Sequence, residues 1–258
     1  MVVSLTLIGL ALYFVIDLPT HTLSIPLWGR EVTAPASTRL LMGVLLGGLA
    51  FSGAGAVLHA DAHRRIRYTV PFWVNATLLV LLAMMTLGRL GSVGSWALGL
   101  LATGVLLWLT LLAEYRALHT PPPGAPAARL WSQGMSYALL LAYTLLLYQT
   151  PVAVWVRWPG VGGLGGLLAA SIFKLYPAPE GGSGLAGWGV GVALAQLSWV
   201  LGYWPLGATG TALLVMLAFY ALCGATVAGR QGRLSGRTLA EYGAVAALGV
   251  VIALRMGG

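Results

Sequence analysis

The sequence holds two histidines and an aspartate within five residues, His59-Ala60-Asp61-Ala62-His63, with a glutamate and another histidine at Glu114 and His119. On a continuous helix His59 and His63 share a face at four-residue spacing, and imidazole with carboxylate is a donor set for Zn, Fe or Mn. With Glu114 or His119 completing the set, the chemistry would be that of a lipid-modifying membrane enzyme. The spacing is not that of a known metalloenzyme helix such as His-Glu-x-x-His, and there is no Gly-x-Ser-x-Gly elbow or Gly-Lys phosphate loop. The expectation is therefore no catalytic residue, no metal and no cofactor, with His59, His63, Glu114 and His119 as the candidates if a metal binds. Lys174 does not reproduce a retinal-binding lysine, because it stands near the end of the sixth apolar stretch and the last stretch has no lysine.

A second group of residues suits binding. Gln133, Tyr137, Thr144 and Tyr148 fall on one helical arc of about 60 degrees. Asn75 and Gln196, on other apolar stretches, are expected to face it and form a polar seam. Such a seam holds a lipid headgroup or small solute, or serves as interhelical hydrogen bonding. A third pattern is made of small residues. Gly162, Gly166 and Ala170 recur at four-residue spacing, and Gly187, Gly191 and Ala195 do the same on the next stretch. Small residues let helix backbones approach closely in lipid, so these two stretches are expected to pack as a tight hairpin.

The elements that must carry these residues follow from composition. Of 258 residues, 59% are hydrophobic and 8% charged, against roughly a quarter charged in a soluble domain. Six carboxylates and fourteen cations cannot cover the exterior of a soluble fold of this size. About twenty apolar residues make a bilayer-crossing helix, and nine stretches qualify. They run over Val2 to Leu18, Leu40 to Leu58, Thr69 to Gly88, Gly94 to Ala113, Leu130 to Tyr148, Gly160 to Tyr176, Leu185 to Tyr203, Leu206 to Gly229 and Leu239 to Leu254. The expected fold is an all-α polytopic transmembrane helix bundle of about nine spans, or eight if the short first or sixth does not cross. It forms a single helical domain over 1–258, with no soluble domain.

The net charge of +8 comes from cations scattered beside apolar stretches, which argues against nucleic acid as a partner. With a cytoplasmic N-terminus, nine basic residues lie on the inner side and five on the outer, the direction of the positive-inside rule. The densest clusters, His63-Arg64-Arg65-Ile66-Arg67 and Arg230-Gln231-Gly232-Arg233, then face inward, where they would meet anionic lipid headgroups. Between Pro19 and Arg39 a partial alternation around Gly29-Arg30 suggests a small hairpin. Pro121-Pro122-Pro123-Gly124 with Pro126 reads as a stiff non-helical linker. The lone Cys223 excludes an intramolecular disulfide.

These observations point first to a non-catalytic integral membrane protein of a bacterial-type cytoplasmic membrane: a scaffold, accessory subunit or lipid-binding component. Its expected partners are membrane lipids and other membrane subunits. A transporter or channel for a small or amphipathic solute is the alternative that the polar seam supports, and the inner His/Asp/Glu cluster supports a lipid-modifying enzyme.

Overall fold

A computed structural model describes residues 2–15, 20–27, 30–58, 73–120, 124–150, 153–176, 182–233 and 235–257. Among these the order is α1 (Val2–Val15), β1 (Thr20–Leu27), β2 (Arg30–Ser37), α2 (Thr38–Leu58), α3 (Trp73–Leu87), α4 (Val93–His119), α5 (Pro126–Gln149), α6 (Val154–Leu175), α7 (Ser183–Leu201), α8 (Ala208–Arg230) and α9 (Gly236–Gly257). Among the described residues the fold is helical apart from one antiparallel hairpin, whose register runs from Thr20 opposite Ser37 to Leu27 opposite Arg30.

Four described helices, α4, α5, α7 and α8, are long and apolar enough to cross a membrane. Shorter apolar stretches occupy Val2–Phe14, Met42–Ala56, Trp73–Leu87 and Ala240–Val251. The sixth helix is longer than its sequence suggests. It starts at Val154 rather than Gly160 and carries Pro159 inside it, giving 22 residues, or about 33 Å. Pro159 is only the sixth residue of that helix, so the hydrogen bond that its ring removes is the one to Trp155, at the exposed entry turn. Pro126 likewise belongs to a helix and not to a linker. It opens α5, in the first turn, where backbone N–H groups have no intrahelical acceptor and proline costs nothing.

The contacts divide the chain into two compact units, Met1–Tyr115 and Arg116–Gly258. The boundary lies near the end of α4, just ahead of the proline run at 121–123. In the first unit, α1 lies on α2 where Gly9 meets Leu46 and Gly53 meets Val2, and α2 lies on α3 where Gly55 meets the Trp73 ring. α4 runs antiparallel to α3, with Gly99 against Leu87, and touches α1 through Gly104 against Leu7. Leu10, Ala54 and Val80 are fully buried between these helices.

The second unit is organised around the α6/α7 pair. A Cβ at Gly191 would stand 2.6 Å from the Gly162 carbonyl oxygen and 3.0 Å from the Gly166 Cα. A Cβ at Gly187 would stand 2.8 Å from both the Gly166 oxygen and the Ala170 Cβ, and one at Gly162 would meet Ala195. The structure therefore brings Gly162, Gly166, Ala170, Gly187, Gly191 and Ala195 into one backbone-to-backbone contact. Leu168, Ile172 and Phe173 of α6 and Leu139, Leu140, Val215 and Phe219 of α5 and α8 fill the rest of that unit's core. Gly191→Leu has no space and is expected to cost at least the ~1–3 kcal/mol of an overpacked core. Gly163→Leu, where nothing lies within 4 Å of the new Cβ, leaves stability unchanged. Thermal denaturation of the two variants in detergent checks the contrast.

Candidate functional site

The polar seam does not form as one continuous feature. The part near the start of α5 is a hydrogen-bonded chain in which Gln133 Nε2 donates to the Tyr137 hydroxyl at 2.7 Å and the Tyr176 hydroxyl donates to Gln133 Oε1 at 3.1 Å. Both ends of the Gln133 amide are engaged, which fixes its orientation and ties α5 to the end of α6. Tyr148, three turns further along α5, belongs to a separate contact, its hydroxyl donating to the Ser198 carbonyl of α7 at 2.9 Å. Thr144 lies between them, buried, and its hydroxyl has no hydrogen-bond partner among the described residues.

Gln196 and Asn75 are not part of this seam. Gln196 is exposed, because the α7 arc that meets its neighbours is Gly187, Val190, Gly191, Leu194 and Ser198, and Gln196 stands about 140 degrees round from Gly191. Asn75 belongs to the first unit, where its side chain interacts with the Glu114 carboxyl. Angular position on one helix says which residues share a face, but not which helix that face will meet.

The Gln133 chain forms one wall of a pocket of about 330 Å³ at the end of the second unit where α5 begins, α6 and α8 finish and α9 starts. Tyr176, Cys223, Gly224, Val227, Ala228, Gln231, Arg233 and Tyr242 complete the lining. Its volume is at the small end of the roughly 300–1,000 Å³ of small-molecule sites. Behind the wall the aromatic rings are stacked edge to face, Tyr137 on Phe219 and Tyr220 at 5.5 and 5.8 Å, and Tyr220 on Tyr242 at 5.6 Å. Gly224 lets the Tyr242 ring lie directly on the α8 backbone, since any Cβ there would collide with it.

Arg233 reaches the pocket because of how α8 ends. Gly232 takes a left-handed φ of 67°, its N–H bonds the Gly229 carbonyl at 3.0 Å, and the Arg233 N–H bonds the Ala228 carbonyl at 2.9 Å. This is the Schellman closure, which needs a residue that tolerates positive φ. Arg230, one turn earlier, holds its guanidinium over the Phe173 ring at 5.6 Å. Arg237 is spent on Glu241, at 3.4 Å in an exposed pair. Arg233 has no ion-pair partner among the described residues. The site is therefore cationic, lined with amide and phenol groups, and open at its rim through the exposed Gln231 and Arg233.

Sequence reading found Gln133 and Tyr137 but not Tyr176, Tyr242 or the placing of Arg233. The Gly232 that follows Arg230-Gln231 carried the signal for Arg233, being the glycine expected just past a helix end.

The first unit holds the other chemically notable group. Glu114 is 1% exposed and Asn75 is 2% exposed. Although Asn75 lies beside the carboxyl, neither Glu114 oxygen completes a hydrogen bond with a described residue. Thr110, fully buried one turn earlier on α4, is on the same face. His59 and His63 lie outside the described residues. Among those described no three His, Cys, Asp or Glu side chains come close enough to share a metal, so Glu114 and His119 do not form such a group there. Asn75→Leu alone strips the carboxyl of its polar neighbour and is expected to cost about 1–3 kcal/mol. Adding Glu114→Leu removes the group that needed it and recovers stability to within about 1 kcal/mol, because an apolar isostere often replaces a buried polar pair without loss. A double-mutant cycle on detergent melting midpoints measures both.

No curated protein and no solved structure is significantly similar to this chain. A family model does match, over residues 18–256, which takes in both units and every element from β1 to α9 except the last residue of the final helix. The chain belongs to the family described as a protein of unknown function, DUF5656.

Proposed function

We propose that this chain is a multi-pass integral membrane protein of a bacterial-type cytoplasmic membrane, and that it works by binding an anionic lipid headgroup in the pocket of α5, α6, α8 and α9, without covalent chemistry. The observation that carries the reading is that pocket: about 330 Å³, with Arg233, Gln133, Tyr176 and Tyr242 around it. Arg and phenol or amide donors are the groups that match a phosphodiester oxygen. Lys174, Arg230, Arg233 and Arg237 stand at this end, against the single described carboxylate of Glu241.

A bilayer supplies the rest of the argument. α4, α5, α7 and α8 have the length and apolarity to cross one, and residues such as Leu98, Leu101, Leu185 and Trp188 are exposed on them, as a lipid-facing surface requires. With about nine spans and a cytoplasmic N-terminus, the pocket opens at the inner boundary, where the cytoplasmic leaflet is anionic and the Arg230-Gln231-Gly232-Arg233 turn meets it. The seam's division into Gln133-Tyr137-Tyr176 at one end and Tyr148-Ser198 at the other, with buried Leu139, Leu140 and Tyr143 between, suits headgroup binding better than a solute path.

Native mass spectrometry of protein extracted with its own lipids is expected to show a retained anionic phospholipid. Arg233→Gln should weaken its binding about fivefold, from the roughly 1 kcal/mol a basic residue contributes near an anionic surface. Retention of neutral lipid alone, or binding indifferent to Arg233, overturns the headgroup assignment. Topology is read separately. A reporter inserted after residue 120 should be active only on the cytoplasmic side, and one inserted after residue 152 only on the outer side; the opposite pattern inverts the bundle.

A further inference from the structure

We infer that α7 is a self-association surface, docking against α7 of a second copy of the same chain through Gln196. The inference rests on the bilayer part of the function proposed above and not on the lipid pocket.

The exposed side of α7 is a stripe of Leu185, Gly189, Val192, Gln196 and Trp199, all within an arc of about 80 degrees. Four of the five are what a lipid-facing helix carries. Gln196 is not: it is exposed, and its amide has no hydrogen-bond partner among the described residues. It stands thirteen residues past Ser183 in a 19-residue helix, about 20 Å from that end and about 8 Å from the Leu201 end. Reaching back to the nearer headgroup layer is closed to it. Side chains on a helix lean toward its N-terminus, which for Gln196 is the direction away from Leu201 and deeper into hydrocarbon. An amide held there without a partner is costly, so a partner from outside α7's own unit is required.

The identity of that partner follows from chemistry and symmetry. A glutamine amide is both donor and acceptor, so two of them satisfy one another. Two copies inserted the same way up carry α7 parallel and at the same depth, and a twofold axis along the membrane normal brings Gln196 onto Gln196 with no further adjustment. This holds whichever side the N-terminus occupies. Gly189, seven residues earlier on the same face, has nothing within 4 Å of where a Cβ would stand, which leaves room for the second backbone to approach. A different protein, or another span of this one, would have to present a polar group at that one depth.

The test uses the full chain in lipid nanodiscs or proteoliposomes, with Cys223→Ala removing the chain's one native, buried cysteine. Gln196→Cys should then oxidise to a disulfide-linked homodimer, while Gly163→Cys, on α6, should not. By Förster transfer between labelled copies diluted in lipid, Gln196→Leu should raise the dimer dissociation constant about tenfold, the scale of one interhelical hydrogen bond. Gln196→Asn, which keeps the amide, should restore part of the association. A chain that stays monomeric at every dilution, a Gln196→Cys chain that forms no disulfide-linked homodimer, or association indifferent to Gln196→Leu each overturns the inference. Alkaline carbonate extraction of the same membranes separates this from failure of the bilayer reading. Protein released by carbonate defeats that reading, and protein that remains in the membrane but does not pair defeats only the dimer.

Discussion

Between helices in lipid there is no water to expel, so two of them hold together by contact alone, and contact is closest where side chains are absent. Gly162, Gly166, Gly187 and Gly191 bring the α6 and α7 backbones to a distance at which even one methyl group would strike a carbonyl oxygen. Everything else in the second unit inherits its position from that pair. With one side of α6 committed to α7, its other side, through Leu168 and Ile172, is left to α5 and α8. The C-terminal turn of α6 then delivers Tyr176 to Gln133, and α7 delivers Ser198 to Tyr148. The two ties lie at opposite ends of α5, so the helix is fixed in rotation as well as in place.

The pocket lies where polar groups cost least. Helix ends leave carbonyls and amides that must be satisfied locally, and they are also where side chains can meet the headgroup layer. α8 solves its own end by the Gly232 closure, and the same turn sets the direction of Arg233. The closure of the helix and the placing of the pocket's cation are therefore one feature. Tyr242 depends on α8 in turn, because its ring rests on the bare backbone at Gly224. A cationic rim over an aromatic floor results from helix packing and termination alone, with no loop domain to build it.

Periodicity made the helices and the α6/α7 contact legible, since runs of apolar residues and glycines at four-residue spacing are local patterns. Helix ends were less so. Pro126 read as part of a linker, yet a first-turn proline sacrifices no hydrogen bond, so it stands inside a helix, and the apolar stretch expected from Gly160 begins earlier, at Val154, with Pro159 in its entry turn. The polar seam was half legible. Gln133, Tyr137, Thr144 and Tyr148 do share α5, but their partners depend on which helix stands opposite, and that is decided by packing at sites such as Gly191, remote from them in sequence. Asn75 beside Glu114 is the same case, because a polar residue's need for a partner is visible in one sequence and the partner's identity is not.

Glu114 and Gln196 show two answers to that need. Both are polar groups on helices apolar enough to cross a bilayer, and neither completes a side-chain hydrogen bond among the described residues. Glu114 is enclosed by its own unit beside Asn75 and Thr110, so whatever satisfies it must come from within the fold or pass through it. Gln196 faces outward, so whatever satisfies it must come from outside. A carboxyl in the first situation is costly unless groups inside the fold satisfy it. An amide suits the second: it bears no charge, supplies donor and acceptor together, and pairs with its own kind across a twofold axis. The two residues thus differ in where a partner can reach them, Glu114 only from within its unit and Gln196 from beyond the exposed side of α7.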